Sequence, residues 1–278
     1  MAQERTPLGE YLRARRAAVT PEEAGVQSYT QRRVPGLRRD EVARAAGISQ
    51  EYYLRLEQGK DQTPSDQVLR SLARALLLND GATAYMMRVA SAQPVDLRAA
   101  AANVSTDTFA AILDTWANVP AYMIDTNHTI MLSNAMARAV VPLALHVGSN
   151  IPEVVFTAPE VRALPTWETL ATRTVTRLRS YGHPFDPRLH ALADRLSTLD
   201  PLFRRLWERH EVDPYYDGDV KPFIDGHGQV VLRHQTLEVP GTPGYLLCVY
   251  RADPGSISEA ALTDLAERVS ADEATAAA

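Results

Sequence analysis

Gln50, Glu51 and Arg55 combine side-chain types and spacing that could read nucleic-acid bases. Glutamine can bond adenine through two atoms, arginine can do the same with guanine, and glutamate can accept from the cytosine amino group. Each such pairing is worth about 1–3 kcal/mol of discrimination. On a helix starting near Gln50, Tyr53 and Leu56 fall on one face, three residues apart, while Gln50, Glu51, Leu54 and Arg55 fall elsewhere on the wheel. A helix divided in this way can be held by its apolar face and present its polar one to a DNA major groove, provided a second short helix braces it.

The flanking residues predict that brace. Glu41 to Ala46 carries Val42, Ala45 and Ala46 at helical spacing, and Gly47 supplies the positive φ that ends a helix. Ile48 then points back toward the core, and Ser49 is a good N-cap for the helix that follows. Upstream, Leu8 to Val19 reads as a first helix. Thr20-Pro21-Glu22-Glu23 has the cap, N1 proline and capping-box acid of a new helix start. A polar loop, 26–36, holds Arg32 and Arg33, which are open to two readings: solvated charges, or an arm on phosphate or in the minor groove. Downstream lies a loop from Gly59 to Pro64, and then Ser65 caps a helix with Val68, Leu69, Leu72, Ala73 and Leu76 on one face. A fifth helix is expected over Asp80 to Ala92, with Tyr85, Met86 and Val89 inward. Together these make an all-α five-helix domain over 1–92. A connector, 93–104, follows Gln93-Pro94 and is rich in alanine.

Beyond it the pattern is mixed. Strands are expected at 120–125 and 128–133 with a hairpin turn at Thr126-Asn127, then a helix over 134–146. Helices follow in a block from Leu164, over 187–199 and over 202–212. The period then shifts to two over 220–224, 230–239 and 244–251, and a last helix opens at Ser256-Ile257-Ser258-Glu259. Five strands with helices between the second and third suit an α+β domain, 105–270, built on a small antiparallel sheet with helices on one face. The alanine-rich tail, 271–278, is expected to fray.

Composition narrows the function. With 45% apolar and 23% charged residues the 278-residue chain has the make-up of a globular protein with room for two domains. It has no apolar run of membrane-spanning length, and its start lacks an apolar signal core, so a cytoplasmic protein without a membrane partner is expected. The overall charge of −5 is unevenly spread. Residues 1–92 hold 14 basic against 11 acidic side chains, a net of +3, and residues 93–278 hold 15 against 23, a net of −8. The basic part is the part with the helix pair. The single cysteine, Cys248, sits in an apolar strand and reads as a core thiol. The histidines show no zinc spacing, one cysteine permits no Cys-x-x-Cys, and neither a phosphate loop nor a nucleophile elbow is present. No catalytic residue, metal site or cofactor is therefore expected, and the protein is read as a non-enzyme.

Two resemblances sharpen this reading. Pro35-Gly36-Leu37-Arg38-Arg39-Asp40-Glu41-Val42-Ala43, Ala46-Gly47-Ile48-Ser49, Tyr52-Tyr53, Arg55-Leu56-Glu57-Gln58-Gly59 and Pro64-Ser65 resemble the helix-turn-helix domain of bacterial regulators of the Cro and phage-repressor (XRE) type. The remainder is similar to the PAS-like ligand-binding domain of MmyB-like regulators. That likeness rests on Thr172 to Arg179, Asp186-Pro187-Arg188-Leu189, Phe203-Arg204-Arg205-Leu206-Trp207, Lys221-Pro222-Phe223 and Val249 to Ser256. Where that family shows a Trp-Asn pair after the second strand, this chain has Ser133-Asn134.

The resemblance implies base contacts by Gln50, Glu51 and Arg55. Phosphate contacts are expected at Arg39, from its charge and its place at a helix N-terminus, and at Arg38, Tyr52 and Lys60, with Arg32 and Arg33 open to the two readings above. Tyr52 is equally open to a packing role. It also implies a structural ion pair between Glu57 and an arginine of the first helix, Arg16. For the second domain it implies an apolar, fatty-acid-like effector, with Trp116, Tyr122, Met131, Phe203, Trp207 and Tyr245 as pocket candidates that the residues alone read as core more often than pocket; a homodimer is expected with it. The expected protein is thus a sequence-specific, dimeric regulator of double-stranded DNA. The competing reading is an effector-independent module that recruits a protein partner.

Overall fold

A computed structural model describes residues 6–26, 35–60, 63–91, 106–213, 218–239, 242 and 244–277. Arg32, Arg33 and the whole of the expected connector, 93–104, lie outside them. The contacts divide the chain into two compact units, and the division is not sequential: residues 1–94 group with 175–214, and 95–174 with 215–278. The first unit is therefore larger than the 1–92 expected, and its added helices come from the middle of the expected second domain.

The first unit opens with five helices: α1 (Pro7–Ala18), α2 (Arg39–Ala46), α3 (Gln50–Glu57), α4 (Asp66–Ala75) and α5 (Asp80–Ser91). Thr6, Ser49 and Ser65 cap α1, α3 and α4, each accepting a backbone N–H two or three residues into the helix. Leu12, Val42, Tyr53, Leu56, Leu72, Leu76 and Met86 meet in one core from which solvent is excluded. Thr20 and Glu23 form the expected reciprocal pair, the Thr20 N–H and hydroxyl both donating to the Glu23 carboxylate, but one turn ends at Gly25 instead of growing into a helix.

In the second unit α6 (Thr106–Thr115) precedes the hairpin of β1 (Ala121–Ile124) and β2 (Ile130–Ser133). Then come α7 (Ala135–Val140), α8 (Ile151–Thr157), α9 (Pro159–Arg162) and α10 (Trp167–Tyr181), the last of which runs on into the first unit from Val175. The helix expected over 134–146 stops at Val140. Pro142 follows the cap, has no N–H to continue the ladder, and biases its predecessor away from helix. Helices α11 (Pro187–Leu199) and α12 (Pro201–Glu208) belong to the first unit; α12 ends four residues before the expected 202–212 segment does, and His210 takes φ +51°.

The sheet closes with β3 (Gly218–Val220), β6 (Leu232–Glu238) and β7 (Leu246–Arg251), in the order β2-β1-β7-β6-β3, every neighbour antiparallel. Between β3 and β6 a separate two-stranded ribbon joins β4 (Phe223–Ile224) to β5 (Gly228–Gln229). The single strand expected over 220–224 is thus broken, because Pro222 cannot donate to a ladder. Leu232 and His234 on β6, and Leu246, Cys248 and Tyr250 on β7, alternate inward, which makes Cys248 a core thiol. The last helix, α13 (Ile257–Ala277), runs through the tail expected to fray, since alanine has the strongest helix propensity of any residue.

Candidate nucleic-acid interface

The helix pair is assembled by local signals. The Arg38 N–H donates to the Glu41 carboxylate at 2.6 Å, holding the N-terminus of α2. Gly47 adopts φ +69° and returns its N–H to Ala43 and Arg44, while the Ile48 N–H bonds the Ala43 carbonyl, closing α2 and turning the chain. The Ser49 hydroxyl accepts the Tyr52 N–H at 3.1 Å and starts α3. Tyr53 and Leu56 are 0% exposed, so α3 is anchored along one face. Gln50, Glu51 and Arg55 are exposed on the other, and Tyr52 and Leu54 are half-buried at its margin. The Arg55 guanidinium lies over the Tyr52 ring at 5.6 Å, so packing gives Tyr52 a task beside any contact with DNA.

Glu57, at the end of α3, ties three elements together. Arg16 of α1 donates its Nε to Oε1 at 2.6 Å and an outer nitrogen to Oε2, and a further nitrogen to the Leu37 carbonyl at 2.9 Å. Arg39 of α2 donates its Nε to Oε2 at 2.7 Å. Burial alone would push the Glu57 carboxyl up; the hydrogen bonds from Arg16 and Arg39 outweigh it and hold the group below its ordinary value. The second arginine on this carboxylate was not foreseen, because Arg39 had been assigned to phosphate alone. Its side chain is still 45% exposed although its Nε is engaged by Glu57. Gly9 completes the joint. A Cβ there would come within 2.6 Å of the Glu57 carbonyl oxygen, so only glycine lets α1 approach α3 this closely. Arg38 is half-buried and Lys60, its N–H on the Arg55 carbonyl, is exposed.

The six pocket candidates are divided between the two units. Tyr122 is in β1 and Tyr245 is buried just before β7; Met131 and Trp116 are half-buried in β2 and after α6. Phe203 and Trp207 belong instead to α12 in the first unit, stacked on each other at 5.8 Å. On the inward face of the sheet the Tyr122 hydroxyl meets both His234 Nε2 and the Tyr250 hydroxyl at 3.2 Å, a buried polar cluster that periodicity alone did not single out. Asn134, standing after Ser133, is a buried knot. Its Oδ1 accepts the N–H groups of Ala121 and Ala137, and its Nδ2 donates to the carbonyls of Leu113, Trp116 and Val119. Among the described residues no group of histidine, cysteine and acidic side chains is arranged to hold a metal.

A basic five-helix core that exposes one polar face of its second short helix, joined to an α+β unit, defines a two-domain DNA-binding regulator of the helix-turn-helix type. Residues 7–85 match the helix-turn-helix domain family, and residues 104–265 match the MmyB-like transcription regulator ligand binding domain. The chain belongs to the MmyB-like transcription regulators. No curated protein matches it. No described helix is long and apolar enough to cross a membrane.

Proposed function

We propose that the protein binds a near-palindromic DNA site as a homodimer and releases or grips it in response to an apolar, fatty-acid-like effector held by the sheet domain. The observation that carries the DNA half is the division of α3: Tyr53 and Leu56 fully buried, Gln50, Glu51 and Arg55 exposed. Those three read base edges. Arg38, Tyr52, Lys60 and the outer nitrogens of Arg39 meet phosphates, with Arg32 and Arg33 extending the contact. One such helix reads few base pairs, so specificity calls for a second copy about one DNA turn, or a multiple of it, away. An effector acts by binding the two spacings with unequal affinity. The sheet's inward face sets the polar Tyr122, His234 and Tyr250 cluster beside apolar Leu232, Leu246 and Cys248, with Thr236 on the same side, and this mixture supports an amphipathic ligand there.

Footprinting on DNA upstream of the protein's own gene tests the reading. A protected near-palindrome, weakened by Arg55→Ala and by Gln50→Ala, is the expected result. Binding that ignores sequence, with both variants equal to the parent, overturns it. Native mass spectrometry of protein taken from cells tests the effector: a lipid-sized adduct on a dimer supports it, and a bare dimer favours a module that recruits a protein partner.

A further inference from the structure

The first unit contains a cavity of about 540 Å³ that lies apart from the exposed face of α3. One wall is a stripe of α1, with Pro7, Glu10, Ala14 and Ala17 at spacings of three and four, on the side of the helix away from buried Leu8, Tyr11 and Leu12. The opposite wall comes from Pro184 and Leu189, at the start of α11, and from the end of α12. Arg179 of α10 reaches it, and Arg179 is 9% exposed.

That arginine is unusual in what it lacks. One outer nitrogen donates to the Trp207 carbonyl at 2.7 Å, and the guanidinium carbon lies 3.7 Å over the Trp207 ring. Its Nε is buried with no hydrogen-bond partner, and among the described residues no carboxylate lies within ion-pairing distance. Burial holds the Arg179 pKa below its ordinary value. It outweighs the Tyr85 hydroxyl, which also bonds the guanidinium, and Glu10, which favours its charge from beyond ion-pairing distance, so the charge is only partly offset. Of the two acids on the walls, Glu208 is exposed and Glu10 half-buried. His210, at the same wall, supplies no negative charge. Burial, and then the charges of Arg179, Arg13 and Arg15, push its imidazole down to about 3, so it stands neutral beside them. The rest of the lining is largely apolar, of a size that encloses a small organic molecule.

We propose that this cavity is a binding site for a small organic monoanion, a carboxylate with an apolar body, whose charge is received by Arg179 and whose body lies against the α1 stripe, Pro184 and Leu189. The site is separate from the sheet domain's effector. Its effect on DNA, which does rest on the reading above, would pass through α1, the helix that Arg16 and Gly9 join to the end of α3.

The test is fluorine NMR of the full chain carrying fluorotryptophan, titrated with phenylacetate. The three tryptophans, Trp116, Trp167 and Trp207, give separate reporters, and Trp207→Phe assigns the one at the cavity. Phenylacetate should move the Trp207 resonance and saturate, while the neutral analogue phenylethanol should bind about tenfold or more weakly for want of the charge-assisted bond. Arg179→Gln should remove that preference. Ala14→Leu, which fills the cavity from α1 and leaves Arg179 in place, should block the titration and keeps the test decisive should Arg179→Gln not fold. An unmoved Trp207 resonance overturns the proposal, as does phenylethanol binding equally well or Ala14→Leu titrating like the parent. Inorganic phosphate giving the same response at the same concentration would remove the organic ligand. No DNA enters the measurement, so its failure and that of the DNA reading are distinct.

Discussion

Glu57→Gln should loosen the helix-turn-helix unit in a way that depends on pH. In the parent, a side chain 2% exposed carries a charge shared by Arg16, 13% exposed, and Arg39, 45% exposed. Removing one partner of a buried pair costs about 3–5 kcal/mol, because the other charge is left uncompensated. The Arg39 half is largely solvated and adds no more than about 1 kcal/mol. Glutamine keeps one acceptor for Arg16, so the loss should fall near the lower end, about 3 kcal/mol. The pH dependence follows from the carboxyl's lowered folded value. Such a group contributes stability that is fully present above its unfolded pKa, about 4.3, and is lost as pH falls through the folded one. Parent and variant should therefore differ fully at pH 7 and converge as pH drops below roughly 4. Urea unfolding of the full chain, with hydrogen exchange of α1 and α3 amides isolating this unit, measures the difference at each pH. A gap that stays constant from neutral to acid, or one under about 1 kcal/mol at pH 7, would refute the assignment of Glu57 as a charged clamp.

Other consequences are as direct. Gly9→Ala should destabilise by about 1–3 kcal/mol, since its methyl meets the backbone carbonyls of Leu56 and Glu57 and α1 must move off α3; the thermal midpoint measures this. Asn134→Ala should cost about 3 kcal/mol in urea, leaving the Ala121 N–H buried without its acceptor and α7 without its cap. In gel shifts over a salt series, Arg55→Ala should lose about 1–3 kcal/mol of discrimination between operator and competitor. Lys60→Ala should weaken both complexes alike and flatten the salt slope by about one.

The helix-turn-helix pair was legible because its signals are local. Gly47 ends one helix, Ser49 starts the next, and Tyr53 and Leu56 share a face whatever packs on it. Four of the five sheet strands were legible for the same reason, alternation being a property of a few neighbouring residues. Two errors fell where a proline decided an element's end: Pro142 cut α7 short, and Pro222 separated β3, which ends at Val220, from β4, which starts at Phe223. Helices α8 and α9 were missed although Asn150, Pro152 and Pro159 mark their starts, because segments of seven and four residues carry little periodicity.

A deeper gap concerns partners. Periodicity says which face of a helix is apolar and is silent on what covers it. The pattern Leu189, Leu192, Ala193, Leu196 correctly marked the buried side of α11, yet nothing in it placed that helix in the unit of α1 and α5 instead of that of the sheet. The same silence left it open that Phe203 and Trp207 group with the helices of the first unit. It also hid Arg179, which in sequence is one more arginine among Arg173, Arg177 and Arg179 on an amphipathic helix and would be read as solvated. Only the fold reveals that its charge is buried against Trp207 with no acid in contact with it, Glu10 acting only from a distance. A residue that reads DNA can be recognised from its type and the helix that carries it. A residue that waits for a ligand is recognised by a charge left unanswered, and that becomes visible when every neighbour is in place.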